Sequence, residues 1–239
     1  DAKKKAEDNS IVISSMDDES LYGEVFYRLG FGDAISHDIL TDYKLMVLAV
    51  DETVVQKDMQ KSLSDPENGL NIDDVGRIIG VWNAMVKRES FTDKVSGEPM
   101  KRAIAFSRTI ADSKRLSAQF ENVVNDYLNS EDGYSVNVRH VDGNMNALEK
   151  NEALDWLAGD DIPEDSARIL SNVRFLTEGI DVPNLDAIIF LSPRKSQVDI
   201  VQAVGRIIRK FEGKDYGYII LPIVIPAGET PETILDNNK

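Results

Sequence analysis

The sequence predicts a three-layer α/β/α domain built on a mostly parallel central sheet. Short runs rich in Val, Ile and Phe alternate with stretches whose apolar residues recur at helical spacing, the order that produces βαβ units. These short runs are apolar on both faces, which is typical of strands covered by helices on each side. With 239 residues, 42% of them hydrophobic, the chain is long enough to bury a full core.

Strands and helices are predicted in alternation along the chain. Strands are predicted at residues 44–50, 103–106, 136–141, 167–171, 187–191 and 218–221. Helices are predicted at residues 72–87, 110–127, 147–157 and 198–208. Residues 52–71 contain the turn signals Asp65-Pro66 and Asn68-Gly69, and they are predicted to form a loop or lid.

The predicted domain spans residues 24–222, with residues 52–98 as an insertion of a loop and a helix. Residues 1–23 carry the acidic run Asp17-Asp18-Glu19 and are predicted to be a lead-in segment from an inter-domain region. Residues 223–239 are predicted to be a polar tail. Because the sequence opens at Asp1 without an initiator Met, we expect an internal fragment of a longer protein.

Composition excludes several classes of site. The chain has no cysteine and two histidines, which excludes thiolate zinc sites, disulfides and cysteine nucleophiles. The absence of disulfides is compatible with the cytoplasm, where we expect the protein. No apolar run approaches the roughly 20 residues of a membrane helix, so no membrane partner is expected.

The net charge of −15 restricts how the chain can meet nucleic acid. An acidic surface repels a phosphate backbone, so any contact must be local or shared with other parts of a larger protein. Residues 194–210 form one island of the opposite sign. Five basic residues less one acidic residue give this island a charge of +4.

Residues 202–209 (QAVGRIIR) give the strongest signal, a QxxGRxxR pattern on the last predicted helix. Gln202, Arg206 and Arg209 lie three and four residues apart, so they can project from one helical face. Guanidinium groups match phosphate oxygens in geometry and stay protonated. The alternative is a solvated amphipathic helix whose core-facing residues are Val201, Val204 and Ile208.

Residues 177–183 (TEGIDVP) form a second pattern between two predicted strands. Loops that follow strands of an open α/β sheet are where ligands bind. Thr177 offers a hydroxyl, Gly179 permits close backbone approach, and Asp181 can accept hydrogen bonds from a ribose. The alternative is a plain β-turn with a helix-capping Thr.

In this order and spacing, the two patterns resemble motifs V and VI of superfamily 2 helicases. Residues 103–109 (AIAFSRT) stand where that family has motif IV, and residues 141–143 (VDG) where it has a short strand-end loop. The resemblance covers about residues 100–222 and implies the second, C-terminal RecA-like motor domain. Residues 24–51 resemble the opening of that domain in large bacterial helicases related to restriction and phage-defence enzymes.

The resemblance implies roles for particular residues. Arg206 and Arg209 would reach the γ-phosphate of ATP, with Arg209 as the arginine finger, and Gln202 would sense the nucleotide. The residues expected near the bound nucleotide are Gly179, Asp181 and Gly205. The residues expected to contact the nucleic-acid backbone are Thr177, Ser107, Arg108 and Gly143. The implied partners are an N-terminal RecA-like domain that holds ATP with Mg²⁺, and DNA rather than RNA.

The sequence lacks a motif that independent ATPase activity requires. Residues 45–52 (LMVLAVDE) resemble a Walker B strand that ends in Asp51 and Glu52, but no GxxxxGK[ST] phosphate loop occurs in the sequence. We therefore predict a strand-end loop at Asp51 and Glu52, and a chain that does not hydrolyse ATP alone.

Two other functions stay open at this stage. The chain could be a RecA-like regulatory or protein-interaction module without ATPase activity, which the acidic charge favours and the intact QxxGRxxR pattern disfavours. A dinucleotide-binding enzyme is disfavoured because the third glycine of its fingerprint is missing. His140, beside the loop at Gly143, is predicted to be a hydrogen-bonded structural residue, with a contact to nucleic acid as the alternative.

Overall fold

Six parallel strands form one sheet at the centre of this computed structural model. They are β1 (Asp42–Asp51), β2 (Arg102–Phe106), β3 (Ser135–Val141), β4 (Ser166–Asn172), β5 (Ala187–Phe190) and β6 (Tyr216–Ile225). Their order across the sheet is β1-β6-β5-β2-β4-β3, and every neighbouring pair is parallel. The structure describes residues 18–58, 63, 69–87, 98–128, 134–173, 182–193 and 196–230, and all structural statements concern those residues.

Two of the described helices precede β1, and the others lie between successive strands. The helices are α1 (Glu19–Tyr22), α2 (Phe31–Ser36), α3 (Glu52–Asp58), α4 (Ile72–Val86), α5 (Ile110–Leu128), α6 (Ala147–Ala158) and α7 (Gln197–Ile207). Capping boxes fix two of the helix starts. The Asn71 side chain accepts from the Asp74 backbone N–H and the Asp74 carboxylate accepts from that of Asn71, and Asn146 and Glu149 do the same for α6. Within the described residues, no helix combines the length and apolarity that a membrane crossing requires.

The sheet lies between two helical layers, which confirms the predicted three-layer architecture. Helices α4 and α5 pack against each other and against one face, while α6 packs on β4 and α7 on β5 and β6. Alternate residues of each strand point to opposite faces. In β2, Ala103 and Ala105 join the main core beneath α4 and α5, whereas Ile104 and Phe106 are buried outside that cluster.

Helix α7 ends against the first residues of β6. A Cβ atom at Gly217 would lie 2.5 Å from the Ile207 carbonyl oxygen, so only glycine permits this approach. The chain just before β1 holds the same helix end, because the Thr41 backbone N–H donates to the Ile208 carbonyl at 2.7 Å. The Thr41 hydroxyl donates to the Arg209 carbonyl at 3.2 Å. These contacts fix the helix end beside the beginnings of β1 and β6.

Most element bounds agree closely with those predicted, with two corrections. Residues 52–58 form helix α3 rather than the start of a loop. Val55 on this helix is 1% exposed and packs in the core, so a single apolar anchor stabilises a helix whose sequence is otherwise polar or exposed. Strand β6 continues to Ile225, past the predicted domain end at 222, because β1 pairs with it along its full length.

The chain divides into two units, Asp1–Ile39 and Leu40–Lys239. The described residues before the division form two short helices and add no strand to the sheet. Helices α1 and α2 belong to the first unit, and the sheet with its covering helices belongs to the second.

We expect Gly217→Ala to destabilise the fold. The added methyl group would meet the backbone of Ile207, which cannot rotate away as a side chain can. Overpacking of this kind costs about 1–3 kcal/mol, to be measured as the free energy of unfolding in urea. Gly143→Ala is the matched control, because nothing lies within 4 Å of a Cβ placed there. Equal stability of the two variants would show that α7 does not need this close approach.

Candidate functional site

The candidate residues that the structure describes lie at two opposite edges of the sheet. The side on which the strands end is termed the carboxyl edge, and the side on which they begin is the amino edge. Ser107 directly follows β2 and Gly143 follows β3, so both lie at the carboxyl edge. The backbone of Arg209 is bound by Thr41, just before β1, and therefore lies at the amino edge. Because the strands are all parallel, the sheet separates the two groups.

The QxxGRxxR residues occupy the C-terminal half of α7 and the two residues after it, where the helix runs toward the amino edge. Gln202 is exposed, while Gly205 and Arg206 are half-buried on the helix. Arg209 is exposed and lies beyond the last helical residue, Ile207, rather than on the helix itself. This corrects the prediction that Gln202, Arg206 and Arg209 project from one helical face. Arg209 is instead oriented by the non-helical backbone that Thr41 binds.

Two guanidinium groups influence each other at this helix end. Partial burial lowers the pKa of Arg206 below its ordinary value, and the charge of Arg209 lowers that pKa further. The two cations are thus close enough to repel each other. A bound polyphosphate would relieve this repulsion, since an anion between two cations favours the charged form of both. Neighbouring guanidinium groups are also donors that suit phosphate oxygens, so the chemistry of these two residues fits a triphosphate.

The core-facing side of α7 differs from the amphipathic alternative. Val204 and Ile208 are buried as predicted, but Val201 is 52% exposed. The buried face consists of Ala203, Val204, Ile207 and Ile208. Val201 lies one residue before Gln202, so it shares the exposed side of the helix with a candidate nucleotide-sensing residue.

The residues of the TEGIDVP segment lie mostly outside the described part of the chain. Thr177, Gly179 and Asp181 belong to residues 174–181, which the structure does not describe. Of the described residues on either side, β4 ends at the carboxyl edge and β5 begins at the amino edge. Arg194 and Lys195 of the basic island also lie outside the described residues.

At the carboxyl edge, Ser107 and Arg108 have different environments. Ser107 is 2% exposed, and its hydroxyl lies 3.2 Å from that of Ser171 on β4. The side chain of Arg108 is 79% exposed, with Nε 3.7 Å from a carboxylate oxygen of Asp112. Of the two, Arg108 is therefore the one available to an anion from solvent.

The loop after β3 presents its backbone at the same edge. Gly143 is exposed, and the space above its Cα is open. The Gly143 carbonyl accepts from the Lys150 ammonium at 3.0 Å, which ties the loop to α6. The Asn144 backbone N–H donates to Asp142 at 2.7 Å and closes the turn.

Sequence reasoning missed a cluster of paired charges beside Arg108. Arg115 on α5 bridges two carboxylates, with Nε 3.3 Å from Asp74 on α4 and Nη2 2.9 Å from Asp112. These residues line a cavity of ≈ 230 Å³ that also includes Ser107 and Arg108. The Asp112–Arg115 spacing is a readable helical ion-pair signal. The link to Asp74 depends on two helices meeting, which the sequence does not reveal.

His140 is a hydrogen-bonded structural residue, as predicted. Its side chain is 7% exposed, with Nε2 3.0 Å from an Asp142 carboxylate oxygen. Its other ring nitrogen, Nδ1, lies 2.7 Å from the Ser113 hydroxyl on α5. The hydrogen bond from His140 is the main cause that lowers the pKa of Asp142, followed by the bond from the Asn144 backbone.

The Walker B-like pair forms local contacts. Asp51 ends β1, and its carboxylate accepts from the Thr53 backbone at 2.7 Å and from the Thr53 hydroxyl. The side-chain bond to Thr53, then the backbone bond, lowers the pKa of Asp51. Glu52 opens α3 and accepts from the Ala227 backbone at 3.2 Å. Both carboxylates thus stabilise the junction between β1 and α3.

The all-parallel sheet with helices on both faces is a RecA-like α/β fold, and its two edges carry the helicase-type patterns. The chain belongs to the family described as helicase conserved C-terminal domain, whose model matches residues 86–211. Strands β1 and β6 lie outside the matched region. The predicted resemblance to the C-terminal motor domain of superfamily 2 helicases is confirmed.

Similar proteins include a restriction enzyme and a viral helicase. The structure of the ATP-dependent Type ISP restriction-modification enzyme LlaBIII bound to DNA is 69% identical, with a TM-score of 0.85 over 96% of this chain. Probable helicase A859L of African swine fever virus is 40% identical over 57 residues, 24% of this chain. A fragment assigned to an HsdR subunit of a type I restriction enzyme from Vibrio vulnificus is 18% identical with a TM-score of 0.55, which shows the fold alone.

The chain is short beside these proteins. It covers 15% of the LlaBIII chain and 7% of the viral helicase. The activity, substrates and partners of a whole protein therefore do not follow from these similarities alone.

We expect Asp142→Asn to lower the free energy of unfolding at neutral pH. The folded-state pKa of Asp142 lies below the ordinary value of 3.8, so its ionised form stabilises the fold. That contribution is complete above pH 3.8 and is lost as the pH falls through the folded-state pKa. The stability difference from the unmodified protein should therefore shrink below pH 3.8, as measured by urea unfolding across a pH series.

Asp160→Asn is the control for this measurement. The Asp160 side chain is 97% exposed, so its removal should change stability little at any pH. A difference for Asp142→Asn that stays constant with pH would show that the lost interaction is not the charge.

Proposed function

We propose that the chain is the C-terminal motor domain of an ATP-dependent DNA helicase or translocase of the restriction-modification type. The observation that supports this most is the separation of two kinds of candidate residue by the sheet. Paired guanidinium groups lie at the amino edge, and exposed loops with a cationic side chain lie at the carboxyl edge. One domain can then meet a nucleotide and a nucleic acid at the same time.

On the nucleotide side, the N-terminal RecA-like domain of the same protein would bind ATP with Mg²⁺. Arg209, exposed beyond α7, is the proposed arginine finger, and Arg206 supports it from the helix. Gln202, Gly205, Gly179 and Asp181 are the further residues proposed to contact the nucleotide. Because the chain has no phosphate loop, we infer that it contributes half a site and does not hydrolyse ATP by itself.

On the nucleic-acid side, Arg108 is the proposed direct phosphate contact, because its side chain is almost fully solvent-accessible. Gly143 would bring backbone close to the strand, since the space above it is open. Thr177 would add a hydroxyl. Such contacts hold the sugar-phosphate backbone without reading bases. DNA is favoured as the ligand because LlaBIII, which is 69% identical, is described as bound to DNA.

Closure of the cleft between the two motor domains would bring Arg209 against the charge that develops on the γ-phosphate. Preorganised cations stabilise such charge without reorganising during the reaction. Release of the hydrolysis products would reopen the cleft and let the loops at Arg108 and Gly143 bind the nucleic-acid strand at a new position. Domain closure that assembles a site in this way sets the rate of many enzymes.

A second candidate function is a regulatory or protein-interaction module without ATPase activity. The net charge of −15 supports it, because an acidic surface weakens contact with nucleic acid. The two candidates differ in one measurable property. A regulatory module would have no nucleic-acid-stimulated ATPase activity in the full-length protein.

We expect Arg209→Ala to lower kcat of the DNA-stimulated ATPase in the full-length protein by roughly 10³- to 10⁵-fold. An arginine finger acts mainly in the transition state, so kcat should fall more than the KM for ATP changes. The control is Arg139→Ala, which removes the guanidinium of an exposed residue on β3, the last strand of the sheet, where it lies over the ring of Trp156 on α6. If Arg209→Ala retains the rate of that control, Arg209 is not the finger.

We expect Arg108→Ala to weaken single-stranded DNA binding and to reduce its dependence on salt. Each phosphate contact contributes about 0.7 to the slope of log K against log salt concentration for single strands. The slope should therefore become shallower by about 0.7, as measured by fluorescence anisotropy over a salt series. Arg139→Ala should leave the slope unchanged. An unaltered slope in Arg108→Ala would remove Arg108 from the phosphate contacts.

A further inference from the structure

A continuous row of hydrogen-bonded side chains runs beneath the loops of the carboxyl edge. The Ser107 hydroxyl lies 3.2 Å from that of Ser171, which lies 2.7 Å from that of Ser113. The Ser113 hydroxyl lies 2.7 Å from His140 Nδ1, and His140 Nε2 lies 3.0 Å from Asp142. These five residues are termed the buried polar chain.

The buried polar chain is drawn from four separate parts of the fold. Ser107 follows β2, Ser113 lies on α5, Ser171 is in β4, and His140 with Asp142 ends β3. Ser113 and Ser171 have no exposed surface. Buried hydroxyl groups cost free energy unless every one of them is hydrogen-bonded, and an apolar core would avoid that cost. A stability role alone does not call for this arrangement.

The Ser113, His140 and Asp142 side chains do not form a hydrolytic triad. In such a triad the serine contacts Nε2 of the histidine and the aspartate contacts Nδ1. Here Ser113 contacts Nδ1 and Asp142 contacts Nε2. Ser113 is also fully buried, so its hydroxyl has no access to a substrate.

Donor and acceptor roles can be assigned consistently along the buried polar chain. The lowered pKa of Asp142 keeps it ionised, so it can only accept, and His140 Nε2 must carry a proton. With Nδ1 unprotonated, the Ser113 hydroxyl donates to it. Each hydroxyl has one proton, so Ser171 can then donate to Ser113, and the Ser107–Ser171 bond continues the series. Loss of either the Ser113 or the Ser171 hydroxyl therefore interrupts the series between Ser107 and Asp142.

The two ends of the buried polar chain lie directly before the two residues that are proposed to contact nucleic acid, Arg108 and Gly143. Ser107 directly precedes Arg108, and its backbone N–H donates to the Asn172 carbonyl at 2.9 Å. Asp142 directly precedes Gly143 and accepts from the Asn144 backbone N–H at 2.7 Å. The exposed residues Arg108 and Gly143 are thus attached to opposite ends of one hydrogen-bonded series.

We propose that Ser171, Ser113 and His140 are positioning residues that hold residues 107–109 and residues 142–145 in a fixed mutual arrangement for gripping a nucleic-acid backbone. This inference rests on the proposed function. None of the three touches the nucleic acid. They act by keeping two contact loops from shifting independently, so the loops do not lose that freedom when the strand binds.

The test compares two serines of the same strand. Ser171 lies at the carboxyl edge of β4, and Ser166 begins β4 at the amino edge. Ser166 is also buried, and its hydroxyl accepts from the Ser135 hydroxyl at 3.1 Å and from the Asn137 side chain at 3.4 Å. Ser171→Ala and Ser166→Ala therefore remove the same atom from two buried, hydrogen-bonded positions. They differ in whether the buried polar chain is broken.

In the full-length protein, we expect Ser171→Ala to raise the Kd for single-stranded DNA and the DNA concentration that half-saturates the ATPase by roughly two- to tenfold. Ser166→Ala should change neither value, while the unfolding midpoints of the two variants should fall by similar amounts. Ser113→Ala, a second break in the buried polar chain, should reproduce Ser171→Ala. The double variant should bind no more weakly than either single one, because the chain is already interrupted.

DNA binding by Ser171→Ala and Ser113→Ala equal to that of Ser166→Ala would overturn the inference, as would fully additive losses in the double variant. Either result, with a normal DNA-stimulated ATPase in the unmodified protein, leaves the proposed function intact. If the unmodified full-length protein shows no such ATPase, the proposed function fails and this inference fails with it. Substitution of His140 is a poorer test, because it would leave the Asp142 carboxylate buried without its main partner.

Discussion

All described strands of the sheet run in the same direction, and the location of each candidate group follows from this constraint. A parallel pair requires a crossover that returns the chain to the starting edge of the sheet. Loops that follow strands therefore meet at the carboxyl edge, and segments that precede strands meet at the amino edge. Arg108 and Gly143 belong to the first set, while the end of α7 with Arg209 is held by a segment of the second set.

The amino-edge group depends on backbone contacts more than on side chains. Gly217 lets the end of α7 rest on β6, and Thr41 binds the carbonyls of Ile208 and Arg209 just before β1 begins. Strands β1 and β6 pair over their full length, so this anchor is part of the sheet itself. The family model matches neither strand. The position of Arg209 is therefore fixed by parts of the chain that the family pattern does not include.

The sequence predicts the elements well, because buried parallel strands are short apolar runs and the longer helices have an apolar face. Helix α3 is not predicted on this basis, because Val55 alone of its described side chains is buried while Val54 beside it is half exposed. The hydrogen-bond network at the carboxyl edge cannot be predicted from the sequence, for another reason. Ser107, Ser113, His140 and Ser171 are ordinary polar residues spread along the chain, and only the fold brings their side chains within hydrogen-bond distance.

The acidic composition and the proposed grip on DNA are compatible because the relevant charges are paired locally. Asp112 accompanies Arg108, and together with Asp74 it neutralises Arg115, so this edge is close to balanced before any ligand arrives. The Arg108 pair is long and exposed, and such pairs contribute little free energy. A phosphate can therefore displace Asp112 from Arg108 at a small cost in free energy, whereas the half-buried Arg115 remains paired with its two carboxylates.

The pairing of Arg115 also limits non-specific attraction of anions, because its charge is already neutralised. Firm binding then requires the Arg108 and Gly143 loops to meet one strand together, and this makes their mutual positioning more important than total charge.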